Sequence, residues 1–425
     1  MIRRIKESDF IRNIFVLFSG SLLSQLIPFI ALPLLQKFFY SPADFGLLAI
    51  FISFCELFAN VATCKLEYGI VIQSRVKNAI NLLYGAIRVM LIMMVISAVI
   101  ALIFKRELAL YFKEPKLESY MFLLPVYVIV FSLTEIASYW FNRKKNFTII
   151  SLSKIIQTSS SESVKFIAGF LHFGPLGLII GRVAGFLFAN LYYLRMFFKK
   201  DRKALQLINK KYSNEMVREN RKFIFFTTPS VFIGNLINVV YLQLFLAYFG
   251  EDIVGMIGVS MTYLSAGFGV VAISFSQVFY SKVAETKSKE KLLDMYKRFA
   301  RNLMLIAFVP IILVYAIPAS WVARLLGDEW LQLMDIARIM VLWLAVWFVS
   351  SSLSFIYMRL RKQQVMMIYD FIHLLLIIIG FFAGYWWKMD LKGALWGFTI
   401  SQIVFYSFVI YIAIYFIKQT DESKL

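Results

Sequence analysis

The stretch that decides the fold spans residues 79–104 and reads AINLLYGAIRVMLIMMVISAVIALIF. Its only charged residue is Arg88, and about 20 mostly apolar residues are enough to cross a bilayer as a helix. Blocks of this kind recur along nearly the whole chain of 425 residues, of which 60% are hydrophobic and 16% are charged. The sequence therefore predicts an all-α, polytopic membrane protein without a separate soluble domain.

Twelve spans are predicted, with the approximate bounds 13–36, 45–64, 79–104, 118–141, 149–171, 176–197, 223–249, 254–280, 299–320, 332–357, 365–387 and 393–417. The polar segments on the side of the N-terminus hold 31 Lys and Arg residues, and those on the opposite side hold 8. Because Lys and Arg accumulate in cytoplasmic loops, both termini are expected in the cytoplasm of a bacterial cell, with the spans in its inner membrane. This rule also explains the net charge of +20, so no nucleic acid partner is expected.

The longest polar segment divides the chain into two halves of six spans. We predict an N-terminal six-helix bundle over 1–197, a cytoplasmic linker over 198–222, and a C-terminal six-helix bundle over 223–425. Short acidic turns at 40–46 and 249–255 correspond in the two halves, as do the glycine pairs at 177/181 and 393/397. Such a duplication indicates two bundles related by a pseudo-two-fold axis along the membrane normal.

Four cations lie deep inside the predicted spans: Arg88, Lys165, Arg182 and Arg338. If all four faced lipid, the cost would be roughly 12 kcal/mol, at about 3 kcal/mol each. They could instead line a water-filled lumen that receives an anion, or they could pair internally. Glu162 and Asp335 lie one turn from Lys165 and Arg338, whereas the two remaining arginines have no acid one turn away. This difference favours a substrate-binding role for Arg88 and Arg182.

The fifth span is the least lipid-like, since residues 151–165 read SLSKIIQTSSSESVK. Gln157, Ser161 and Lys165 share one helical face. This face is interpreted as the polar wall of a substrate path, and the alternative is hydrogen bonding between helices.

The other ionisable residues inside spans are candidates for ion coupling: Glu56, Glu135, Asp370 and His373. Acids at membrane depth often mark proton or sodium paths, although each could equally be the structural partner of a nearby cation. The sequence contains no P-loop and no clustered metal ligands, so no cofactor beyond a coupled H⁺ or Na⁺ is expected, and no catalytic residue is assigned.

Several motifs follow one another along the chain: RNIFVLFSGSLLSQ at 12–25, LPLL at 32–35, YSPADFG at 40–46, KLEYGIVI at 65–72, NRKKNF at 142–147, QVFY at 277–280 and GDEW at 327–330. Together they resemble the motifs of the Wzx-type oligosaccharide flippases. Their order extends the resemblance over about residues 10–415. This family belongs to the multidrug/oligosaccharidyl-lipid/polysaccharide exporter superfamily.

The resemblance implies two six-helix bundles that carry an undecaprenyl-diphosphate-linked repeat unit of O-antigen, lipopolysaccharide or capsule from the cytoplasmic to the periplasmic leaflet. The polymerase and chain-length regulator of the same pathway are candidate partners beside the bilayer. The family offers no strict catalytic motif, so the site residues above rest on their own chemistry. Two alternatives stay open: a multidrug/cation antiporter of the same superfamily, and a membrane O-antigen polymerase or ligase. A polymerase or ligase is disfavoured because the largest outside segment is short.

Overall fold

The computed structural model describes residues 2–112, 114–286, 288–360 and 362–420. Its helices are α1 Ile2–Phe38, α2 Pro42–Ala59, α3 Leu66–Ile72, α4 Val76–Tyr111, α5 Pro115–Tyr120, α6 Leu124–Arg143, α7 Phe147–Phe170, α8 Pro175–Asp201, α9 Lys210–Glu219, α10 Thr228–Phe249, α11 Glu251–Glu285, α12 Lys289–Ala316, α13 Ala319–Leu326, α14 Leu333–Ser352, α15 Phe355–Arg359, α16 Gln363–Lys388 and α17 Leu391–Gln419. No strand occurs among these residues, and the predicted all-α class is confirmed.

Twelve of the described helices have 18 or more residues, and they coincide with the twelve predicted spans. Ten stretches are long and apolar enough to cross a membrane by length and composition. The two long helices outside that set are α7 and α11. In α7 the cause is the polar run at 151–165, and this helix packs between α1 and α8.

The two acidic turns at 40–46 and 249–255 each contain residues that determine where the neighbouring helices begin and end. Ser41 caps α2 in a capping box: its hydroxyl accepts from the Asp44 backbone N–H at 3.3 Å, and Asp44 accepts from the Ser41 N–H at 2.9 Å. Pro42 takes the first helical position, where its missing N–H costs nothing. At the second turn Gly250 has φ +85°, which only glycine adopts readily, and so this single residue separates the end of α10 from the start of α11.

Glycines bring two helix pairs into backbone contact. In the first pair, a Cβ added at Gly181 would lie 3.0 Å from the Ser161 carbonyl oxygen, so α8 lies directly on α7. In the second pair, a Cβ at Gly397 would lie 2.1 Å from the Gly380 carbonyl oxygen, so α17 lies directly on α16. The glycine pairs at 177/181 and 393/397 therefore serve the same packing purpose in each half of the chain.

Contacts divide the chain into two compact units, Met1–Val254 and Gly255–Leu425. The first unit includes α10, which packs against α2, with Asn60 donating to Asn235 at 3.0 Å. The segment predicted as a linker, 198–222, completes α8, forms a 3₁₀ turn at Arg202–Leu207, and continues into α9, which packs on α4. The predicted division at 197 and 223 follows the internal repeat and stays a prediction.

Candidate functional site

Two residues that the sequence assigned to different roles lie together inside the first unit. The Arg182 Nη2 atom on α8 lies 3.7 Å from the Glu56 Oε1 atom on α2. The Tyr127 hydroxyl on α6 donates to the same carboxylate oxygen at 3.3 Å and is also hydrogen bonded to Arg182. Three helices thus bring a cation, an acid and a phenol to one point.

A second ion pair adjoins the first. On α7 the Lys165 Nζ atom lies 2.7 Å from Glu162 Oε1, one helical turn away as the sequence indicates. Glu162 also interacts electrostatically with Arg182. We refer to Glu56, Tyr127, Glu162, Lys165 and Arg182 as the paired-charge cluster. Its two cations and two carboxylates balance formally.

This balance corrects the simple picture of a lumen lined by unpaired cations. Arg182 has no acid one turn away on α8, but the fold supplies one from α2. Ionic groups inside a membrane protein usually face the bundle interior and pair with one another, because lipid cannot solvate them. Arg182 and Lys165 are thus each paired with an acid, and their role in binding a substrate stays a prediction.

Arg182 nevertheless keeps donors for a ligand. Its side chain is 40% exposed, and that of Glu56 is 27% exposed. Its Nε atom is buried and has no hydrogen-bond partner among the described residues. The guanidinium lies 5.1 Å from the centre of the Phe186 ring, which supports its plane. A partly exposed, planar guanidinium of this kind suits bidentate recognition of a phosphate or a carboxylate.

Arg88 occupies a different place in the first unit. Its Nη2 atom donates to Asn214 Oδ1 of α9 at 2.6 Å, and its guanidinium lies 5.3 Å from the Tyr84 ring centre. These two partners of Arg88, an amide and an aromatic ring, are uncharged, so neither of them neutralises its positive charge. The Nε atom again lacks a partner within the described chain. A substrate-binding role for Arg88 stays a prediction.

Arg338 is held by a backbone carbonyl group and an acid of the second unit. Its Nη2 atom donates to the Ile317 carbonyl oxygen at 2.8 Å, at the end of α12, and its Nη1 atom lies 3.7 Å from Asp335. Lys392 binds the other carboxylate oxygen of Asp335 at 3.1 Å. Arg338 is the sixth residue of α14 and therefore lies near the start of this helix.

The polar residues of α7 contact two neighbouring helices, α8 on one side and α1 on the other. Ser161 is buried against α8, and a Cβ at Gly185 would lie 2.9 Å from its Cβ atom and 2.6 Å from the Gln157 carbonyl oxygen. On the other side, Lys154 donates to Ser21 of α1 at 3.2 Å. Ser161 therefore lies in the contact between α7 and α8, and the Gln157 side chain is half-buried; a role in a substrate path stays a prediction for both.

Glu135 lies in a second group of charges that sequence reasoning only partly found. It interacts electrostatically with Lys65, Glu67 and Lys154. Lys65 and Glu67 are buried and form an ion pair of 3.6 Å, and the Thr63 hydroxyl donates to Glu67. Both belong to the motif at 65–72 that carried the family resemblance. Its Lys-x-Glu spacing just beyond a span was the signal that could have identified them.

The two candidates of the second unit lie on α16. The His373 Nε2 atom is 2.8 Å from Gln402 Oε1, and its ring is stacked on Phe405 with 3.9 Å between ring centres. Asp370 interacts electrostatically with Tyr406. The histidine is buried, so its surroundings are those of a satisfied core residue, and a coupling role for either group stays a prediction.

The sequence did not predict one pair of carboxyl groups that the structure brings together. Glu114, at the start of α5, is buried and hydrogen bonded to Glu251, the first residue of α11. Burial, together with the bond to Glu251 and its charge, raises the pKa of Glu114 to about 8, although Lys116 opposes this shift. One proton is thus shared between two segments that lie 137 residues apart in sequence.

The shared proton predicts a pH dependence of stability. Since the folded pKa of Glu114 lies above its ordinary value of 4.5, the folded chain binds more protons than the unfolded chain in this range. Stability should therefore fall as the pH rises from about 5 to 8. Glu114→Gln should flatten this dependence in thermal melts of the detergent-solubilised protein, and Glu107→Gln, at an exposed position on α4, should not. An unchanged pH profile in Glu114→Gln would contradict the assignment.

The helical architecture, with charges held inside it, defines the class of polytopic membrane proteins. Among solved structures, an inward-facing multidrug transporter of the MATE family and MOP superfamily superposes with a TM-score of 0.72 at 14% identity, covering 96% of each chain. The lipid II flippase MurJ, in an inward closed conformation, matches with a TM-score of 0.70 at 16% identity, covering 93% of this chain and 87% of the other. At these identities the likeness shows the fold.

The chain belongs to the polysaccharide biosynthesis protein family, whose model matches residues 38–335. The family match and the likeness in fold agree with the resemblance that the sequence motifs indicate. No curated protein matches the chain.

Proposed function

We propose that the chain is a flippase that moves undecaprenyl-diphosphate-linked oligosaccharide repeat units from the cytoplasmic to the periplasmic leaflet of the bacterial inner membrane, with both termini in the cytoplasm. The observation that carries this proposal is the partly exposed guanidinium of Arg182 inside a chain of the polysaccharide biosynthesis family. A diphosphate is the one strongly charged part of such a substrate, and Arg binds it through paired N–H donors. No bond is broken, so the proposed transport needs no catalytic nucleophile.

The pairing of Arg182 with Glu56 suggests how an ion could be coupled to transport. When the diphosphate binds Arg182, Glu56 loses its counter-ion and becomes a better site for H⁺ or Na⁺. When the substrate leaves, Arg182 returns to the carboxylate and displaces the ion. Because the ion and the substrate would be bound at the same time, alternating access would carry both in the same direction. Glu135, Asp370 and His373 are further candidates for this step.

A multidrug/cation antiporter of the same superfamily is the second candidate. The charge balance of the paired-charge cluster favours it, because Glu56 and Glu162 could also receive a cationic compound. The fold likeness to a multidrug transporter does not distinguish the two.

Deleting the gene in its host distinguishes the two functions. For a flippase we expect surface polysaccharide to disappear and lipid-linked repeat units to accumulate in the cytoplasmic leaflet, while sensitivity to cationic drugs stays unchanged. The wild-type gene should restore the polysaccharide. Normal polysaccharide with increased drug sensitivity would contradict the flippase and support the antiporter.

A further inference from the structure

The connection between α8 and α9 is a surface loop whose beginning is fixed by a buried carboxylate. Asp201, the last residue of α8, accepts a hydrogen bond from the Trp140 indole N–H at 2.9 Å and pairs with Lys144. Its side chain is almost fully enclosed by the protein. Because a buried charge is costly unless it is satisfied, these contacts hold the end of α8 firmly against α6.

The other end of the loop is fixed by a buried amide. The Asn81 side chain on α4 donates to the Leu207 carbonyl oxygen at 2.8 Å and accepts from the Asn209 N–H at 2.8 Å. Asn81 is fully buried, so both bonds are shielded from water. The loop therefore has a defined conformation, although it lies on the surface.

The residues between these two anchors combine cations with exposed apolar side chains. Only Ala204 points inwards. Leu205 and Leu207 are 38% and 42% exposed. The cations immediately before and within the loop are exposed and form no salt bridge among the described residues: Lys199, Lys200, Arg202 and Lys203. We refer to residues 199–207 as the basic loop.

Topology alone does not account for this arrangement. The excess of Lys and Arg on the cytoplasmic side explains the charge, but a solvated loop needs neither two buried anchors nor exposed leucines. The basic loop begins with the last three residues of α8 and ends the stretch Pro175–Leu207, which is long and apolar enough to cross a membrane. The end of such a span is expected at the level of the lipid headgroups. Basic side chains with interleaved apolar residues, held at this depth, suit the boundary between headgroups and acyl chains.

We propose that the basic loop is a docking surface for anionic phospholipids of the cytoplasmic leaflet. The four cations bind headgroup phosphates, and Leu205 and Leu207 enter the boundary layer beside them. Charge complementarity determines the occupant, since a zwitterionic headgroup neutralises its own phosphate. The proposal does not depend on the substrate that the chain transports.

Binding of a labelled short-chain phosphatidylglycerol to the full-length protein in neutral detergent tests the proposal. We expect Arg202→Gln with Lys203→Gln to weaken this binding roughly 20- to 30-fold, since each cation near an anionic surface contributes about 1 kcal/mol. Phosphatidylcholine should bind weakly to both proteins. The matched control is Lys291→Gln with Lys297→Gln, two exposed lysines of α12 that form no salt bridge among the described residues, and this variant should bind like the wild type.

Three results would overturn the proposal. The double variant could bind like the wild type, which would exclude the basic loop as the site. Both variant pairs could lose affinity equally, which would indicate a general effect of positive charge. Inorganic pyrophosphate could displace the lipid where chloride of equal ionic strength does not, which would indicate a diphosphate site instead. Both substituted residues are exposed, and a thermal melt in neutral detergent confirms that each variant is folded.

Discussion

Arg182→Ala is expected to reduce surface polysaccharide sharply in a complemented deletion strain. Losing hydrogen bonds to a charged group costs about 1.5–3 kcal/mol, which corresponds to roughly 10- to 150-fold weaker binding of the diphosphate. Arg182→Lys should rescue only part of the activity, because an ammonium group keeps the charge but loses the planar fork. The measurement is the amount of surface polysaccharide, normalised to the amount of protein in the membrane.

A double variant separates binding from structure at this position. Arg182→Ala also leaves Glu56 without its counter-ion, which alone could lower protein levels. Arg182→Gln combined with Glu56→Gln removes both charges, so protein levels should recover while polysaccharide stays low. If polysaccharide recovers together with protein, the pair is purely structural and the proposed role of Arg182 is wrong. Arg88→Ala offers a comparison at a cation held by an amide, Asn214.

Gly397→Ala is expected to destabilise the second unit strongly. The new Cβ would lie 2.1 Å from the Gly380 carbonyl oxygen and 2.7 Å from the Gly384 Cα. These are backbone atoms, so no side-chain rotation can relieve the overlap, and α17 must move away from α16. Forcing extra atoms into a packed interior costs about 1–3 kcal/mol, which lowers the thermal midpoint by roughly 2–12 °C at this size.

The matched control for Gly397→Ala is Gly234→Ala, because a Cβ at Gly234 meets nothing within 4 Å. It sits within α10, where alanine is the better helix former, and should leave the midpoint unchanged or slightly higher. Thermal melts of both variants in detergent provide the comparison. A Gly397→Ala protein that melts like Gly234→Ala would show that the two helices are less tightly packed than described.

The sequence could predict the features that local chemistry determines. Long apolar blocks define the helices, the Ser41 capping box follows from residue types, and the Glu162–Lys165 pair lies one turn apart on one helix. The pairing of Glu56 with Arg182 could not be predicted from the sequence. The two residues are 126 positions apart and meet only because α2 packs against α8. The Glu114–Glu251 pair was missed for the same reason.

The polar character of α7 has a consequence for how the chain enters the membrane. Lys154, Glu162 and Lys165 make this helix a poor candidate for leaving the translocon into lipid alone. Only four residues separate it from α8, whose Gly181 and Gly185 provide the surface on which it packs. We therefore expect α7 and α8 to be inserted together as a hairpin. Because α1 is synthesised earlier and packs on α7, it is already in the membrane when the hairpin enters. Biogenesis of the first unit thus depends on the order in which its helices are synthesised.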